Sequence, residues 1–346
     1  ISVAGPGHAD AVGAYALTSG NAHALALVLS GTPATWKNVP ISTPGVASAL
    51  AGVSQFSGGA FLAGLYGTSA GSTFNIAGKL VGTTYTALHP PNLGAAQNKL
   101  TAVLSLSSTQ AIFVGDYTDS IGFAQNYAEL WNGTGFMNLN PPGQGGRFAG
   151  TNSIFTAVRA VPGTSHIDFA GYRACPVDTF CPFVYVYNMA TKTWSSVDTA
   201  VTPSVSGQVF NGFHAQSSIQ AWAVGAYQDS ANNTFAMIQR FDDATLGFKN
   251  FTLPSLPAES ILDDVAALAT NDAVAVGVSG NTKPTTKPIA LYWNGTVWAK
   301  TTPIVTIPTA FYGISEVPGS TNGYIVVGAQ QPGTVSKTLA AAAACD

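Results

Sequence analysis

Carboxylates are the residues of this sequence best suited to carry out chemistry. Asp116 and Asp119 follow one apolar run, and adjacent pairs occur at Asp242–Asp243 and Asp263–Asp264. A glycoside hydrolase needs a pair of carboxyl groups that flank the scissile bond. These residues occupy different positions of the repeat described below, and adjacent Asp residues usually mark turns. We therefore expect no enzymatic activity, although carboxylates from two repeats on one face would favour a glycosidase.

The other polar residues form no catalytic, cofactor-binding or metal-binding pattern. The five histidines are scattered, without a pair at metal-ligand spacing. No Gly-x-Ser-x-Gly elbow, phosphate-binding loop or dinucleotide fingerprint is present, so we predict no cofactor. A calcium ion near Asp116 and Asp119 stays open as an alternative. A sialidase would need clustered arginines, whereas the four arginines lie in dissimilar repeat positions, at Arg147, Arg159, Arg173 and Arg240.

Tyrosines recur at one place in the sequence pattern, one or two residues after a glycine that ends an apolar run. They are Tyr15, Tyr66, Tyr117, Tyr172 and Tyr227. A pyranose ring offers an apolar face that can stack on an aromatic plane. Five tyrosines on one face would therefore suit glycan binding, and the alternative is that they pack at strand ends.

The cysteines and the glycosylation motifs favour an extracellular protein. Cys175 and Cys181 flank a short segment and match no common zinc spacing, so we predict a disulfide that closes this loop. The state of Cys345 is left open. Asn-x-Ser/Thr motifs, which are candidate glycosylation sites, occur at Asn132, Asn232, Asn250 and Asn294.

The composition predicts a folded, secreted chain. Hydrophobic residues make up 46% and aromatic residues 10% of the 346 residues, which is ample for a core. Charged residues are only 8% and the formal net charge is −3 without a Lys/Arg cluster, so nucleic acid is not an expected partner. No apolar run reaches the roughly 20 residues of a membrane span. The sequence begins directly in a strand-like pattern, which we interpret as a mature form after signal removal.

A repeat of about 50 residues must position all of these groups. Each copy contains an apolar run ending in glycine, at Gly13, Gly64, Gly115, Gly171, Gly225, Gly277 and Gly328. An apolar anchor precedes each glycine, at Val3, Val53, Val103, Val158, Phe213, Val265 and Ile314. A further apolar run follows, and six copies end in an aromatic residue, at Trp36, Tyr85, Phe136, Trp194, Phe248 and Trp298. Each copy thus predicts four short antiparallel strands.

Seven such copies predict an all-β fold, a seven-bladed β-propeller in one domain of residues 1–346. We expect Asn132-Gly133 and Asn294-Gly295 to form two-residue type I′ turns. The seventh copy ends after its third strand, so the last blade is predicted to lack its outer strand. The approximate blade bounds are 1–43, 44–94, 95–148, 149–204, 205–257, 258–305 and 306–346.

Two segments carry a resemblance to known proteins. Leu291 to Trp298 reads Leu-Tyr-Trp-Asn-Gly-Thr-Val-Trp, and Ala221 to Gly225 reads Ala-Trp-Ala-Val-Gly. The chain therefore resembles bacterial and archaeal extracellular repeat proteins with Trp-Asn-Gly-Thr-x-Trp hairpins and Ala-Trp-Ala-Val-Gly strands. It is also kelch-like, although the kelch double glycine is absent. The resemblance implies a secreted propeller used in adhesion or attached to larger surface proteins.

These features together predict a non-enzymatic structural or adhesive module of a cell surface or extracellular assembly. A glycan-binding lectin that uses the five tyrosines is the first alternative, and a glycosidase is the second. Expected partners are glycans, other surface proteins or a second copy of the chain. The second copy would donate a strand to the last blade.

Overall fold

The computed structural model describes residues 1–16, 20–143, 151–175, 179–200, 205–242, 247–280, 287–301, 310–321, 323–330 and 337–344. These residues form strands, turns and connecting segments, without any helix. The described part of the chain accordingly contains no helix long and apolar enough to cross a membrane. The chain divides into two compact units, Ile1–Val158 and Arg159–Asp346. The single domain expected from the sequence stays a prediction.

In the first unit, three antiparallel sheets follow one another, and each contains four strands in sequence order. The first sheet comprises β1 (Ser2–Gly5), β2 (His8–Ala16), β3 (Ala22–Ser30) and β4 (Thr35–Val39). The second comprises β5 (Ala47–Phe56), β6 (Gly59–Gly67), β7 (Thr73–Val81) and β8 (Thr84–Leu88). The third comprises β9 (Asn98–Ser105), β10 (Ala111–Thr118), β11 (Ala124–Trp131) and β12 (Phe136–Asn138).

The fourth sheet begins with β13 (Ser153–Ala160) and continues in the second unit with β14 (His166–Arg173), β15 (Cys181–Asn188) and β16 (Thr193–Val197). The fifth comprises β17 (Val205–Ser217), β18 (Gln220–Asp229), β19 (Thr234–Asp242) and β20 (Gly247–Asn250). The sixth comprises β21 (Ser260–Ala269), β22 (Asp272–Ser279), β23 (Lys287–Trp293) and β24 (Trp298–Lys300). A last sheet of three strands comprises β25 (Ala310–Glu316), β26 (Gly323–Gln330) and β27 (Lys337–Ala344).

The four-stranded meander is the blade of a β-propeller, and the fold is an all-β propeller. The described residues form six complete blades rather than the seven that we predicted, and the sheet β25–β27 has three strands. The repeat glycine marks the second strand of a sheet. The three strands of the last sheet in the described residues agree with the prediction that the last blade lacks its outer strand.

A β-bulge in the first strand explains why the glycine recurs. In five sheets, one residue of the first strand has no partner across the ladder, and the residue before it pairs with the repeat glycine. A Cβ atom at that glycine would collide with a carbonyl oxygen of the first strand. Gly277, for example, faces the Ile261 carbonyl oxygen. The unpaired residues are Ala51, Thr101, Asn211, Asp263 and Tyr312.

Five of the predicted apolar anchors lie two residues after these bulges and are buried, namely Val53, Val103, Phe213, Val265 and Ile314. The anchors of the other two sheets, Val3 and Val158, are buried as well. Clusters of buried side chains combine residues of consecutive sheets, such as Trp222 and Leu262 in one cluster and Phe61 and Phe113 in another. The cores therefore lie between the faces of neighbouring sheets, because a blade cannot bury both of its faces alone.

Hydrogen bonds from side chains to backbone join the first strands of neighbouring sheets. Thr101 Oγ1 donates to the Phe155 carbonyl at 2.7 Å. Asn211 Nδ2 donates to the Leu262 carbonyl at 3.0 Å. Both donors are bulge residues, so the bulge aims a polar side chain at the backbone of the next sheet.

The prediction of two-residue type I′ turns is wrong. The loop after Trp131 spans four residues before Phe136, and of Asn132 and Gly133 only the glycine has positive φ. Asn132 instead accepts hydrogen bonds through Oδ1 from the amides of Thr134 and Gly135, both at 3.0 Å. The Asn side chain thus closes an Asx turn, and the same pattern recurs at Asn294.

The close approach of the repeat glycine to the bulge predicts a sharp difference between two glycines. Gly277→Ala places a methyl group against the Ile261 carbonyl, and we expect a loss of about 1–3 kcal/mol in the free energy of unfolding. Gly13→Ala, at the corresponding glycine of the first sheet, meets no atom within 4 Å and is expected to change stability little. Urea unfolding of both variants measures the difference, and equal losses would contradict the steric explanation.

Candidate functional site

The five predicted tyrosines lie near the ends of the second strands β2, β6, β10, β14 and β18. Four of them contact an aromatic ring eight residues later, on the third strand or just before it. The ring centroids are 5.6 Å apart for Tyr15–His23, 5.5 Å for Tyr66–Phe74, 5.3 Å for Tyr172–Phe180 and 5.4 Å for Tyr227–Phe235. Tyr117 packs against the core cluster that contains Phe113. These contacts agree with packing at strand ends, and glycan binding by the whole set stays a prediction.

Tyr227 differs because it also lines a pocket of about 340 Å³, which we call the Tyr227 pocket. Its ring is stacked on Phe235, with an interplanar angle of 26°. Several of the lining residues come from the segment between β20 and β21. The other lining residues are Ala236, Met237, Asn250, Phe251, Thr252, Leu253, Pro254, Leu256 and Pro257. Aromatic and aliphatic walls with a few polar groups are typical of small-molecule sites.

Asn250 supplies the amide of this pocket, and its orientation is fixed. Its Oδ1 accepts a hydrogen bond at 3.0 Å from Nε2 of the buried Gln239. The same Nε2 donates to the Ala200 carbonyl, and Gln239 Oε1 accepts from the Ala200 amide at 3.2 Å. A polar group of the pocket is therefore held by a buried network, which favours a preorganised site.

The structure contains the predicted disulfide between Cys175 and Cys181, with Cα atoms 5.8 Å apart. The bond joins the end region of β14 to the start of β15 and therefore closes the loop between second and third strands. All four glycosylation motifs present an exposed asparagine, at Asn132, Asn232, Asn250 and Asn294. Cys345 lies outside the described residues.

The acidic residues considered for calcium have other contacts. Asp116 forms an ion pair of 3.2 Å with Lys99. Asp119 Oδ1 accepts hydrogen bonds from the amides of Ile121 and Phe123, at 3.0 and 2.9 Å. Within the described residues no group of three His, Cys, Asp or Glu residues is arranged to hold a metal ion. Arg147 and Asp243 lie outside those residues.

A group of ionisable residues near the bulges was not predicted from the sequence. The bulge residue Asp263 lies on β21, between β17 and β25. Its neighbour Asp264 accepts the Ile314 amide hydrogen through Oδ2 at 3.1 Å, and β17 approaches so closely that a Cβ on Gly212 would lie 2.6 Å from the Asp264 Cα. We call this group the bulge centre, and its members are Arg159, His214, Asp263, Asp264, Tyr312 and Glu316.

The charges of the bulge centre act on one another. Burial raises the pKa of Asp263 to about 7, and the charge of Asp264 adds to this rise. Burial lowers the pKa of His214, the charges of Glu316 and Asp264 oppose that shift, and the charge of Arg159 reinforces it. Burial raises the pKa of Asp264 as well, against the opposing charge of Arg159. Ionisable groups with shifted pKa values are typical of functional sites, although structural networks share this property.

The bulge centre brings together residues that the sequence analysis treated separately. Asp263–Asp264 was interpreted as a turn, whereas both residues lie inside β21. Carboxylates of two sheets, Asp264 on β21 and Glu316 on β25, act on the same His214. Alignment of the repeats on their glycines would have placed Thr101, Asn211 and Asp263 at one position, 14 residues before the glycine. A single sequence gives no sign that this position is a bulge.

Comparisons with known proteins establish the fold alone. No protein-family model and no curated protein matches the chain. Among solved structures, the chain is similar to YCF48 bound to a D1 peptide, with 12% identity, a TM-score of 0.55, and coverage of 94% of this chain and 88% of that one. It is also similar to an ulvan lyase of polysaccharide lyase family PL25 bound to -[GlcA(1-4)Rha3S]-. The identity is 10% and the TM-score 0.61, over 97% of this chain and 90% of that one.

The raised pKa of Asp263 predicts how stability depends on pH. Asp263 holds its proton more tightly in the folded chain than in the unfolded chain, where its pKa is near 3.8. The free energy of unfolding therefore decreases as pH rises from about 4 to about 7. Asp263→Asn fixes a neutral side chain. We expect the variant to be more stable than the parent at about pH 8, by about 1 kcal/mol or more, and nearly equal at about pH 4.

Asp229→Asn is the matched control, because hydrogen bonds from Asn233 lower the pKa of Asp229. Its stability relative to the parent is expected to change with pH in the opposite direction. Urea unfolding of the parent and both variants at the two pH values measures these differences. A gain for Asp263→Asn that is equal at both pH values would refute the protonation argument.

Proposed function

We propose that this chain is a recognition module of an extracellular or cell-surface assembly, with a structural or adhesive role, and that it binds a saccharide in the Tyr227 pocket. The observation that carries this proposal is the stacked pair Tyr227–Phe235 in the wall of a pocket of about 340 Å³. Aromatic planes suit the apolar face of a pyranose. The Asn250 amide and the Thr252 hydroxyl suit its hydroxyl groups.

Three features support the extracellular setting. The Cys175–Cys181 disulfide suits an oxidising environment. Three glycosylation motifs outside the Tyr227 pocket have exposed asparagines, at Asn132, Asn232 and Asn294. A charged fraction of only 8% is low for an intracellular surface.

The finer architecture belongs to the same proposal. We propose that the sheet β25–β27 acts as a seventh blade, because its bulge at Tyr312 and its glycine Gly328 repeat the arrangement of the complete sheets. The similarity to an ulvan lyase supports a saccharide ligand to the extent that the same fold holds a polysaccharide in that protein. YCF48, a neighbour of the same fold, is bound to a D1 peptide, which supports protein partners for this chain.

Removal of the Tyr227 ring tests the saccharide site. The parent chain is expected to bind members of a glycan array. In Tyr227→Ala the affinity for those glycans should fall about two- to tenfold, because a stacked ring contributes about 0.5–1.5 kcal/mol. Isothermal titration calorimetry with the best array ligand measures the loss.

Tyr15→Ala is the control for this experiment. Tyr15 occupies the corresponding place in β2 and pairs with His23, but it does not line the Tyr227 pocket. Its removal should leave the affinity unchanged. Equal losses in both variants would favour a set of equivalent tyrosines, and absence of glycan binding by the parent would exclude the saccharide site.

Self-association is a second candidate, favoured by the edge of β27. In the described residues β27 pairs with β26 on one side, and the sheet contains no fourth strand. A strand edge of this kind can accept a strand from a second copy. Light scattering at rising protein concentration should then show oligomers.

Proline substitutions at two neighbouring positions, Ala341 and Ala342, test this edge. Neighbouring amides of a strand point in opposite directions. One substitution should therefore abolish association and retain stability, whereas the other should disturb pairing with β26 and lower stability. A parent chain that stays monomeric at all concentrations would exclude strand addition.

A further inference from the structure

The Tyr227 pocket lies at a place where two other sheets contain a buried asparagine. Asn75 in the second sheet and Asn126 in the third sheet each stand directly before the third-strand residue that pairs with the repeat glycine. Asn75 Nδ2 donates to the Pro91 carbonyl at 3.1 Å. Asn126 Nδ2 donates to the Pro142 carbonyl at 2.7 Å. In both sheets a carboxamide therefore fills the space between the third strand and the segment after the fourth strand.

The fifth sheet has an alanine at the corresponding position. Ala236 stands directly before the partner of the repeat glycine. Pro254 is the third residue after Phe251, whose amide donates to β19 at 3.0 Å, and Pro142 follows a donor to β11 in the same way. Ala236 and Pro254 both line the Tyr227 pocket. The pocket is therefore the space left by a missing carboxamide, and no asparagine binds the Pro254 carbonyl.

A backbone amide of the pocket lacks a second interaction that the second sheet has. Asn75 N donates to Asn92 Oδ1 at 2.9 Å. The Ile238 carbonyl accepts a bond from the segment after β20, and because directions alternate along a strand, the Ala236 amide points to the same edge. Ser255 stands at the place of Asn92, directly after the proline, and does not line the pocket. The Ala236 amide thus faces the pocket without the acceptor of its counterpart.

On the basis of the saccharide-binding role proposed above, on which this inference rests, we propose that the Tyr227 pocket recognises an N-acetylamino group. Its ligands are then glycans that contain an N-acetylhexosamine. The acetamido N–H donates to the Pro254 carbonyl, in place of an asparagine Nδ2. The acetamido carbonyl accepts the Ala236 amide hydrogen, in place of Asn92 Oδ1. The methyl group packs on aliphatic lining residues such as Met237 and Leu253.

An acetamido group in this position places its sugar ring near the aromatic pair. Phe235, which is stacked on Tyr227, directly precedes Ala236 in β19. Adjacent residues of a strand are about 3.3 Å apart, so a short ligand reaches both the amide and the rings. The acetamido group of a hexosamine is bonded directly to the pyranose ring and is short enough. A volume of about 340 Å³ lies at the lower end for small-molecule sites and suits a short saccharide.

The edge of β19 favours a single amide over a peptide strand. The Thr234 amide donates to Glu259 Oε1 at 3.4 Å, and the Ile238 carbonyl accepts from the Phe251 amide. Ala236 lies between these two engaged positions. Strand addition requires main-chain groups along several residues of an edge. A secondary amide on a sugar therefore fits this edge better than an extended peptide does.

Oligosaccharides that differ in one substituent test the acetamido site. The parent chain should bind N-acetylglucosamine oligosaccharides more tightly than the matching glucose oligosaccharides, by about tenfold or more, because two hydrogen bonds are lost. Glucosamine oligosaccharides lack the acetyl carbonyl and should bind as weakly as those of glucose. Isothermal titration calorimetry measures the affinities. In saturation-transfer NMR the acetyl methyl should be among the most strongly saturated ligand protons.

Ala236→Asn tests the same site from the protein side. The new side chain repeats the arrangement of Asn75 and is expected to bind the Pro254 carbonyl itself. Affinity for acetylated oligosaccharides should fall by about 100-fold or more, because the pocket is filled. Urea unfolding should show no loss of stability. Ala24→Asn is the matched control, since Ala24 has the corresponding place in the first sheet and lies outside the pocket, and its affinity should stay unchanged.

Loss of the acetyl preference is distinct from loss of saccharide binding. Equal affinity of the parent for acetylated and unacetylated oligosaccharides, or full binding by a folded Ala236→Asn variant, would overturn the acetamido site and leave the saccharide pocket. In Tyr227→Ala both affinities should fall by a similar factor, so that the preference remains. A parent chain that binds no saccharide would overturn both proposals. Binding of acetylated peptides in place of sugars would assign the pocket to a protein partner and would also overturn them.

Discussion

The contact between the first-strand bulge and the second-strand glycine is the constraint on which the rest of the structure depends. Only a residue without a side chain allows the first-strand carbonyl to approach β22 as it does at Gly277. The bulge in turn directs a side chain away from its own ladder. One residue without a Cβ atom in each of these sheets therefore determines where polar groups such as Asn211 and Asp263 are presented.

The strand pattern was predictable from the sequence because it repeats. The strands were identified by glycine-ended runs, by buried anchors such as Phe213 and by closing aromatic residues such as Trp298. The disulfide was identified by the short spacing between Cys175 and Cys181. The geometry of the turns was harder to predict from the sequence. Asn132-Gly133 suits several hairpin loops, and the hydrogen bonds of the Asn side chain determine which one forms.

The candidate sites were harder to predict for different physical reasons. Tyr227 was singled out together with four similar tyrosines, but the pocket that distinguishes it depends on the segment after β20, whose path a sequence does not show. Asp263–Asp264 was visible and misinterpreted, because adjacent aspartates are common in turns. A bulge changes which face of a strand a residue occupies, and no local propensity signals that change.

The bonds between the sheets have a consequence for how such a chain can vary. Thr101 and Asn211 bind backbone carbonyls of the following sheet, and every residue type at the receiving position provides that carbonyl. The partner's side chain is therefore free to change without a matching substitution. A blade can therefore be duplicated, exchanged or diversified as a unit in evolution. A residue such as Asp263 can arise in one copy while the neighbouring sheets keep their side-chain-to-backbone hydrogen bonds.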